Sequence, residues 1–166
     1  MVTAAEFGPQ CRKLYIGDAG GFLREYSAET GEFIQELRPL EDLKEYQQVR
    51  KIIYVKEEDL VLCASIDGRI LVFFRNESNE YVLVRDLRGS HTTDLTGMCY
   101  SEEYHLMASS CEGGTINLWN SVKYMLETVL TAGDKVIDVR FVKGYPVLLA
   151  CCQLGEILCF GVRPME

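Results

Sequence analysis

Four glycines divide this 166-residue chain into copies of one unit, and this repeat constrains the fold more than any other feature. The glycines are Gly21, Gly68, Gly114 and Gly155, at spacings of 47, 46 and 41 residues. An aromatic residue lies five positions after each glycine, and another lies fourteen positions before it. In chain order these two columns are Tyr26, Phe73, Trp119 and Phe160, and Phe7, Tyr54, Tyr100 and Phe141. A period of this length is typical of stacked supersecondary units.

Aliphatic columns accompany the same glycines. Seven positions before each glycine the residues are Leu14, Val61, Met107 and Leu148, and two positions after it they are Leu23, Ile70, Ile116 and Ile157. Apolar residues at mostly even separations in short runs predict three β-strands in each unit. A fourth strand is predicted over 32–37, 81–87 and 124–130 in the first three units. Each anchor glycine is predicted to end the tight turn between the second and third strands, with positive φ.

A repeated four-stranded antiparallel meander predicts an all-β fold of β-propeller blades. The predicted blades span residues 2–38, 49–88, 94–131 and 135–162, and the fourth lacks an outer strand. Four blades of this kind leave one apolar face of the first blade and one of the last uncovered, so we expect something to cover these faces. Further blades, a second copy or another chain would each serve.

The third unit carries the most specific motif, GSHTTDLTGMCYSEEYHLMASSCEGGTINLWN over 89–120. It resembles the Gly-His to Trp-Asp pattern of the WD-repeat family, with His91 in place and Trp119-Asn120 instead of Trp-Asp. The resemblance implies a propeller of about seven blades, of which this chain is one part, that acts as a protein-interaction scaffold. The long loops and divergent blades are similar, more narrowly, to the large multi-propeller WD-repeat proteins of cilia and flagella, which implies an axonemal complex.

The family's hydrogen-bond tetrad of His, Ser or Thr, Asp and Trp is incomplete in every unit. The third unit has Cys111 and Gly113 at the positions assigned to Ser and Asp. The second unit keeps Ser65 and Asp67 but has Phe73 in place of Trp. These blades are therefore expected to depend on apolar packing, with Tyr26, Phe73 and Phe160 standing where the family places Trp.

Composition limits the partners. The formal net charge of -8 disfavours nucleic acids and anionic membranes, and no secretory signal or membrane-spanning stretch is seen. The seven cysteines are an odd number without a C-x-x-C pair, which predicts buried thiols in a reducing cytoplasm and no zinc site.

No residue pattern favours catalysis. Ser90, His91 and Asp94 are too close in one loop to adopt a catalytic triad, and Asp134 and Asp138 are predicted to be solvated turn residues. We therefore predict no catalytic, metal or cofactor-binding residue and no enzyme activity. An active site in a propeller channel is less favoured, because the inner-strand positions are largely apolar.

The segment Arg38 to Gln48 is the longest connection between blades, and Pro39 opens a predicted short helix. Its candidate protein-binding residues are Leu40, Glu41, Asp42, Leu43 and Tyr46. The apolar stripe of this helix docks a partner or packs back on its own blade, and the sequence favours neither. The predicted function is a non-catalytic scaffold for other proteins. The alternative is a reader of a modified peptide or small ligand at the channel, where an aromatic cage or basic cluster is expected.

Overall fold

The computed structural model describes residues 1–37, 47–89 and 91–163. In this part of the chain, the strands form four antiparallel sheets in which neighbouring strands follow one another along the sequence. A three-residue 3-10 helix, Pro9–Cys11, joins the first two strands. The all-β prediction is therefore confirmed. The chain divides into two compact units, Met1–Arg88 and Gly89–Glu166.

The first unit contains two four-stranded sheets, which we call blades 1 and 2. Blade 1 consists of β1 (Val2–Phe7), β2 (Lys13–Asp18), β3 (Leu23–Ser27) and β4 (Phe33–Leu37). Blade 2 consists of β5 (Val49–Val55), β6 (Leu60–Ser65), β7 (Ile70–Arg75) and β8 (Tyr81–Leu87). Branched and aromatic residues dominate these runs, as strands favour.

The second unit contains blades 3 and 4. Blade 3 consists of β9 (Leu95–Ser101), β10 (Leu106–Cys111), β11 (Thr115–Asn120) and β12 (Met125–Thr131). Blade 4 consists of β13 (Val136–Phe141), β14 (Val147–Cys152) and β15 (Ile157–Gly161). Blade 4 has three strands within the described residues, and β15 pairs there with β14 alone.

The anchor glycines adopt the backbone conformation that the sequence predicts. Their φ angles are 83°, 85°, 77° and 90° for Gly21, Gly68, Gly114 and Gly155. Gly114 is doubly constrained, because a Cβ there would lie 2.7 Å from the carbonyl oxygen of Asp134. Only glycine combines this φ with so close an approach to a neighbouring backbone.

Each blade has two faces, which we define by position relative to the anchor glycine. The leading face carries the residues 14 and 7 positions before the glycine and the residue 5 positions after it. The trailing face carries the residues 6 and 4 positions before the glycine and the residues 2 and 4 positions after it. In the first unit the leading face of blade 2 packs on the trailing face of blade 1, where Phe73 and Val61 join Tyr15 and Leu23 in one core. The predicted repeat therefore places the columns between blades.

The second unit repeats this contact with different side chains. The leading face of blade 4, with Leu148 and Phe160, packs on Ile116 and Leu118 of the trailing face of blade 3. Full burial of one such aliphatic side chain stabilises a fold by about 1.5–3 kcal/mol, so these few columns hold adjacent blades together.

Candidate functional site

The predicted partner-binding loop lies outside the described residues. This applies to all of its candidates, which are Leu40, Glu41, Asp42, Leu43 and Tyr46. Their role stays a prediction.

In blade 3 the structure brings His91 and Trp119 together through one serine. Trp119 Nε1 donates a hydrogen bond to Ser109 Oγ at 3.0 Å, and Ser109 Oγ lies 2.7 Å from His91 Nε2. Asn117 Nδ2 lies 3.3 Å from the same ring nitrogen. Ser109 and Asn117 are fully buried. These hydrogen bonds therefore fix the loop that precedes β9 to the second and third strands of blade 3.

The donors in this cluster assign the histidine tautomer. An amide nitrogen donates and does not accept, so His91 Nε2 is the acceptor and the proton resides on Nδ1. Nδ1 is buried and has no hydrogen-bond partner among the described residues. Burial lowers the pKa of His91 to about 4, so the ring is neutral at physiological pH. A neutral, firmly held imidazole has a structural role.

Ser109 is the residue that the sequence reasoning missed. The serine position was assigned to Cys111, whose thiol instead lies 2.9 Å from Thr115 Oγ1. Ser109 lies ten positions before Trp119 on the paired strand, on the same side as the indole. Counting back from the tryptophan along the β10–β11 register would have found it.

Ser65 and Asp67 of blade 2 make a local contact. Ser65 Oγ donates to Asp67 Oδ1 and contacts the carbonyl of Arg69 at 3.2 Å, while Arg69 N donates to Asp67 at 3.3 Å. These bonds shape the turn between β6 and β7. None of these bonds reaches Phe73, which is 1% exposed in the apolar core.

The aromatic column five positions after the glycines lies on the third strand of every blade. These residues are Tyr26 on β3, Phe73 on β7, Trp119 on β11 and Phe160 on β15. Phe73 and Trp119 are buried, Phe160 is partly buried, and Tyr26 packs edge-on against Phe33 with ring centroids 5.8 Å apart. The aromatic residue therefore has the same backbone position in every blade, whereas the burial of its side chain varies between blades.

A buried ionic cluster joins blades 1 and 2, and no sequence motif signals it. Arg75 Nη2 on blade 2 donates to Glu25 Oε1 on blade 1 at 3.0 Å, to Tyr81 OH at 2.9 Å and to Tyr15 OH at 3.2 Å. The two tyrosine hydroxyls are 2.6 Å apart, and the guanidinium carbon lies 4.5 Å from the centre of the Tyr81 ring. The members come from four strands and are separated by up to 66 residues, so composition and periodicity give no sign of them.

Glu25 is completely buried, yet its carboxylate is well supported. Gln35 Nε2 donates to Oε2 at 2.7 Å, and Lys13 Nζ lies 3.5 Å from Oε1. Burial lowers the pKa of Arg75, but its bond to Tyr81 and the charge and hydrogen bond of Glu25 outweigh burial and raise the pKa above its usual value. Arg75 is therefore a fixed cation that holds two blades together.

The turn between β5 and β6 extends this cluster to the surface. Asp59 Oδ1 accepts from Tyr54 OH at 3.1 Å and from Tyr81 OH at 3.3 Å, and Asp59 Oδ2 lies 3.2 Å from Arg75 Nε. Burial, together with the charge of Asp59, raises the pKa of Tyr54 to about 12. All of these groups have protein partners, as in a structural network.

A small groove lies between two turns of the second unit. Its volume is about 250 Å³, and it is lined by Tyr100, Ser101, Glu102, Glu103, Phe141, Val142 and Lys143. Glu103 Oε2 accepts from the backbone of Gly144 at 3.2 Å across the groove, which ties the β9–β10 turn to the β13–β14 turn. Two aromatic rings and two carboxylates thus border one concave site.

The cysteines depart in part from the expected burial. All seven are free thiols; Cys63, Cys99, Cys111 and Cys152 are buried, but Cys11, Cys151 and Cys159 are exposed. The prediction of uniformly buried thiols is wrong for these three, because Cys11 lies in a surface turn and the other two lie on the trailing face of blade 4.

No cluster of three or more His, Cys, Asp or Glu side chains suited to a metal ion is found in 1–37, 47–89 and 91–163. In that same part of the chain, no helix has the length and apolar character needed to cross a bilayer.

No protein-family model and no curated protein matches this sequence. Solved structures do match in fold. The crystal structure of the computationally designed Ika4 protein has a TM-score of 0.77 at 16% identity, covering 98% of this chain and 91% of that one. The designed Ika8 protein has a TM-score of 0.78 at 17% identity, covering 97% and 46%. The Cps50 (Swd1) β-propeller domain of Myceliophteria thermophila has a TM-score of 0.82 at 16% identity, covering 98% and 54%.

The chain thus spans about half the length of two of these structures and most of the third. Likeness at this level of identity shows the fold. Together with the four meander sheets, it identifies the architecture of this chain as that of β-propeller blades.

Proposed function

We propose that this chain is a non-catalytic scaffold that binds other proteins through exposed apolar residues on rigid blades. The observation that carries the proposal is the outer strand of blade 3. Met125 is 60% exposed, Val129 is 50% exposed, and Leu126 beside them is also exposed. Apolar side chains grouped on a sheet edge are typical of protein-binding surfaces.

The edge of β12 adds a second means of binding. β12 is the last strand of its sheet and pairs on one side with β11. A strand from a partner can therefore add its backbone hydrogen bonds to this edge while its side chains contact Met125 and Val129. The acidic balance of the chain favours basic partner surfaces.

The experiment is affinity capture with the double variant Met125→Ser/Val129→Ser. Proteins retained by the unchanged chain should be lost from the variant. The matched control is Tyr145→Ser, which removes a side chain that is 65% exposed elsewhere in the same unit. Equal capture by all three chains would reject this surface as the binding site.

The finer parts of the proposal concern what completes the propeller and where it acts. We propose that other blades or chains complete the propeller, since the chain covers about half of the Swd1 propeller domain. The cytoplasm is the proposed location, and the resemblance to ciliary WD-repeat proteins directs the first imaging to the axoneme. Exclusion of the tagged chain from axonemes would reject the ciliary role.

The groove of the second unit supports a second candidate function, the reading of a modified peptide. Tyr100 and Phe141 offer aromatic surface, and Glu102 and Glu103 offer negative charge, the combination that binds methylated lysine. A peptide with trimethyllysine should bind more tightly than its unmodified form, and Glu102→Gln/Glu103→Gln should remove the difference. Equal binding of both peptides would reject this function.

A further inference from the structure

The trailing face of blade 4 is open, whereas the same positions are buried in the other three blades. In blades 1 to 3 the twelve equivalent residues are Tyr15, Gly17, Leu23, Glu25, Leu62, Ala64, Ile70, Val72, Ala108, Ser110, Ile116 and Leu118, all of them buried. In blade 4 the four positions are Leu149, Cys151, Ile157 and Cys159, all intermediate or exposed. Ile157 alone is 65% exposed. Since the equivalent positions are buried in the other blades, we expect another surface to cover this apolar face.

The leading face of blade 1 is open in the same way. Phe7 is 56% exposed, and Leu14 and Tyr26 are half-buried. Their counterparts in blade 4, Leu148 and Phe160, pack into the core of the second unit. The aromatic and aliphatic side chains of this face of blade 1 are therefore partly or largely exposed instead of packed against another blade.

Both units show what covers a trailing face. In the first unit the covering surface is the leading face of blade 2, and in the second unit it is the leading face of blade 4. Neither unit pairs two faces of the same kind. The complement of the open trailing face is thus a leading face, and this chain carries an open one on blade 1.

We propose that the trailing face of blade 4 binds the leading face of blade 1 in a second copy of this chain, in a head-to-tail association. The proposal rests on the scaffold function and names one partner for it. Unlike faces in contact make a heterologous interface, which closes into a ring when the rotation per subunit allows. Two copies contribute eight blades, within the range of about four to eight found in propellers.

The fold comparisons include chains about twice as long as this one. The chain matches 46% of the Ika8 structure and 54% of the Swd1 propeller domain, so two copies account for the length of either propeller. The contact would also bury Ile157, Cys151 and Cys159, which are exposed on this face.

The first measurement is the mass of the whole chain by analytical ultracentrifugation over a range of concentrations. A reversible species of twice the monomer mass supports the proposal. A species that remains monomeric up to the solubility limit overturns it, including the case in which the two open faces of one molecule cover each other.

Two charge substitutions then test which faces meet. Ile157→Asp and Phe7→Asp each place a carboxylate in the proposed contact, and each should raise the dissociation constant by about a hundredfold, because an unpaired buried charge is costly. Val122→Asp is the control, since Val122 is 62% exposed and lies on neither face. Circular dichroism checks that each variant is folded, and a variant that does not fold is replaced by Ile157→Ser or Phe7→Ser.

Mixing the two variants gives the decisive readout. In a head-to-tail contact, blade 4 of the Phe7→Asp chain and blade 1 of the Ile157→Asp chain are both intact, so the mixture regains a one-to-one complex. A face that pairs with itself would leave one variant dimeric alone, and either that result or failure of the mixture to associate overturns the proposal. Capture of other proteins through Met125 and Val129 is measured separately, so the scaffold function stands or fails independently.

Discussion

The blade-to-blade contacts described within the two units use equivalent backbone positions but differ in chemistry at two of them. Four positions after the anchor glycine, blade 1 has Glu25 and blade 3 has Leu118. Six positions before it, blade 1 has Tyr15 and blade 3 has Ala108. In the first unit these side chains join an ionic and phenolic cluster, and in the second they join an apolar core. Both trailing faces nevertheless pack against a leading face of the neighbouring blade.

The difference shows that repeat geometry specifies where a contact lies and leaves its chemistry open. The fourth strand of blade 2 supplies Tyr81 to the ionic cluster, whereas blade 4 has no fourth strand among its described residues. A buried ion pair adds little net stability over an apolar contact of the same shape, but removal of one partner is expensive. The two contacts should therefore respond differently to mutation.

The largest effect is expected from Glu25→Ala. The substitution removes the buried carboxylate that pairs with Arg75 and leaves only the more exposed Asp59 beside the guanidinium, which should lower the free energy of unfolding by about 3–5 kcal/mol. Urea denaturation measures the loss, and hydrogen exchange should localise it to blades 1 and 2. Glu29→Ala, on an exposed turn, is the control and should change stability by less than about 0.5 kcal/mol.

The double variant Glu25→Leu/Arg75→Leu sharpens this test. Removal of both charges should recover part of the loss, because no uncompensated ion remains buried. If the double variant is as unstable as the sum of the two single variants, the ion pair is not the unit of stabilisation.

The apolar contact of the second unit is best broken at Leu148. Leu148→Ala removes a completely buried side chain between blades 3 and 4 and should cost about 3 kcal/mol. Leu154→Ala, at a turn residue that is 83% exposed, should leave the unfolding midpoint nearly unchanged. Equal effects of the two substitutions would contradict the assigned contact.

Gly114 tests how closely blades 3 and 4 approach. Gly114→Ala adds a left-handed alanine and a clash with the carbonyl of Asp134, with an expected cost of about 2 kcal/mol. Gly155→Ala has the same φ requirement but meets nothing within 4 Å, so it should cost about 1 kcal/mol. The difference in chemical denaturation isolates the close approach, and equal costs would assign the whole effect to φ.

The smallest effect concerns pH. The folded pKa of His91 is lowered to about 4, so the unfolded chain, with an ordinary value of about 6.5, binds a proton that the folded chain excludes. The contribution is complete above pH 6.5 and is lost as pH falls from there toward 4. Between pH 7 and pH 5.5 the free energy of unfolding should fall by about 1 kcal/mol more than in His91→Gln. Urea denaturation at the two pH values measures the slope, and an unchanged slope in His91→Gln would contradict the assignment.

The sequence predicted the backbone far better than the polar contacts. The glycine columns located the second and third strands, and the predicted outer strands at 32–37, 81–87 and 124–130 correspond to β4, β8 and β12. These predictions succeed because alternating apolar residues and positive-φ turns are local properties of the chain.

The candidate sites were harder to predict because their members are distant in sequence. Glu25 and Arg75 are 50 residues apart and belong to different blades, so no local pattern links them. Ser109 escapes prediction because Cys111 lies three positions before its anchor glycine, as Ser65 of blade 2 does, and so aligns with the serine position. The sequence predicts uncovered faces on the first and last blades. The exposure of Cys151 and Cys159 could be assigned only from the pairing register of β14 and β15.

Among the described residues β15 pairs with β14 alone, so its outer edge is open to other chains in concentrated solution. Its sequence, Ile157-Leu158-Cys159-Phe160-Gly161, contains no proline and no charged residue that would disfavour pairing with a strand of another molecule. Such an edge is a template on which cross-β growth can begin, with each added strand offering a fresh edge to the next. Unless a fourth strand caps it, blade 4 is therefore where fibrils of this chain should nucleate.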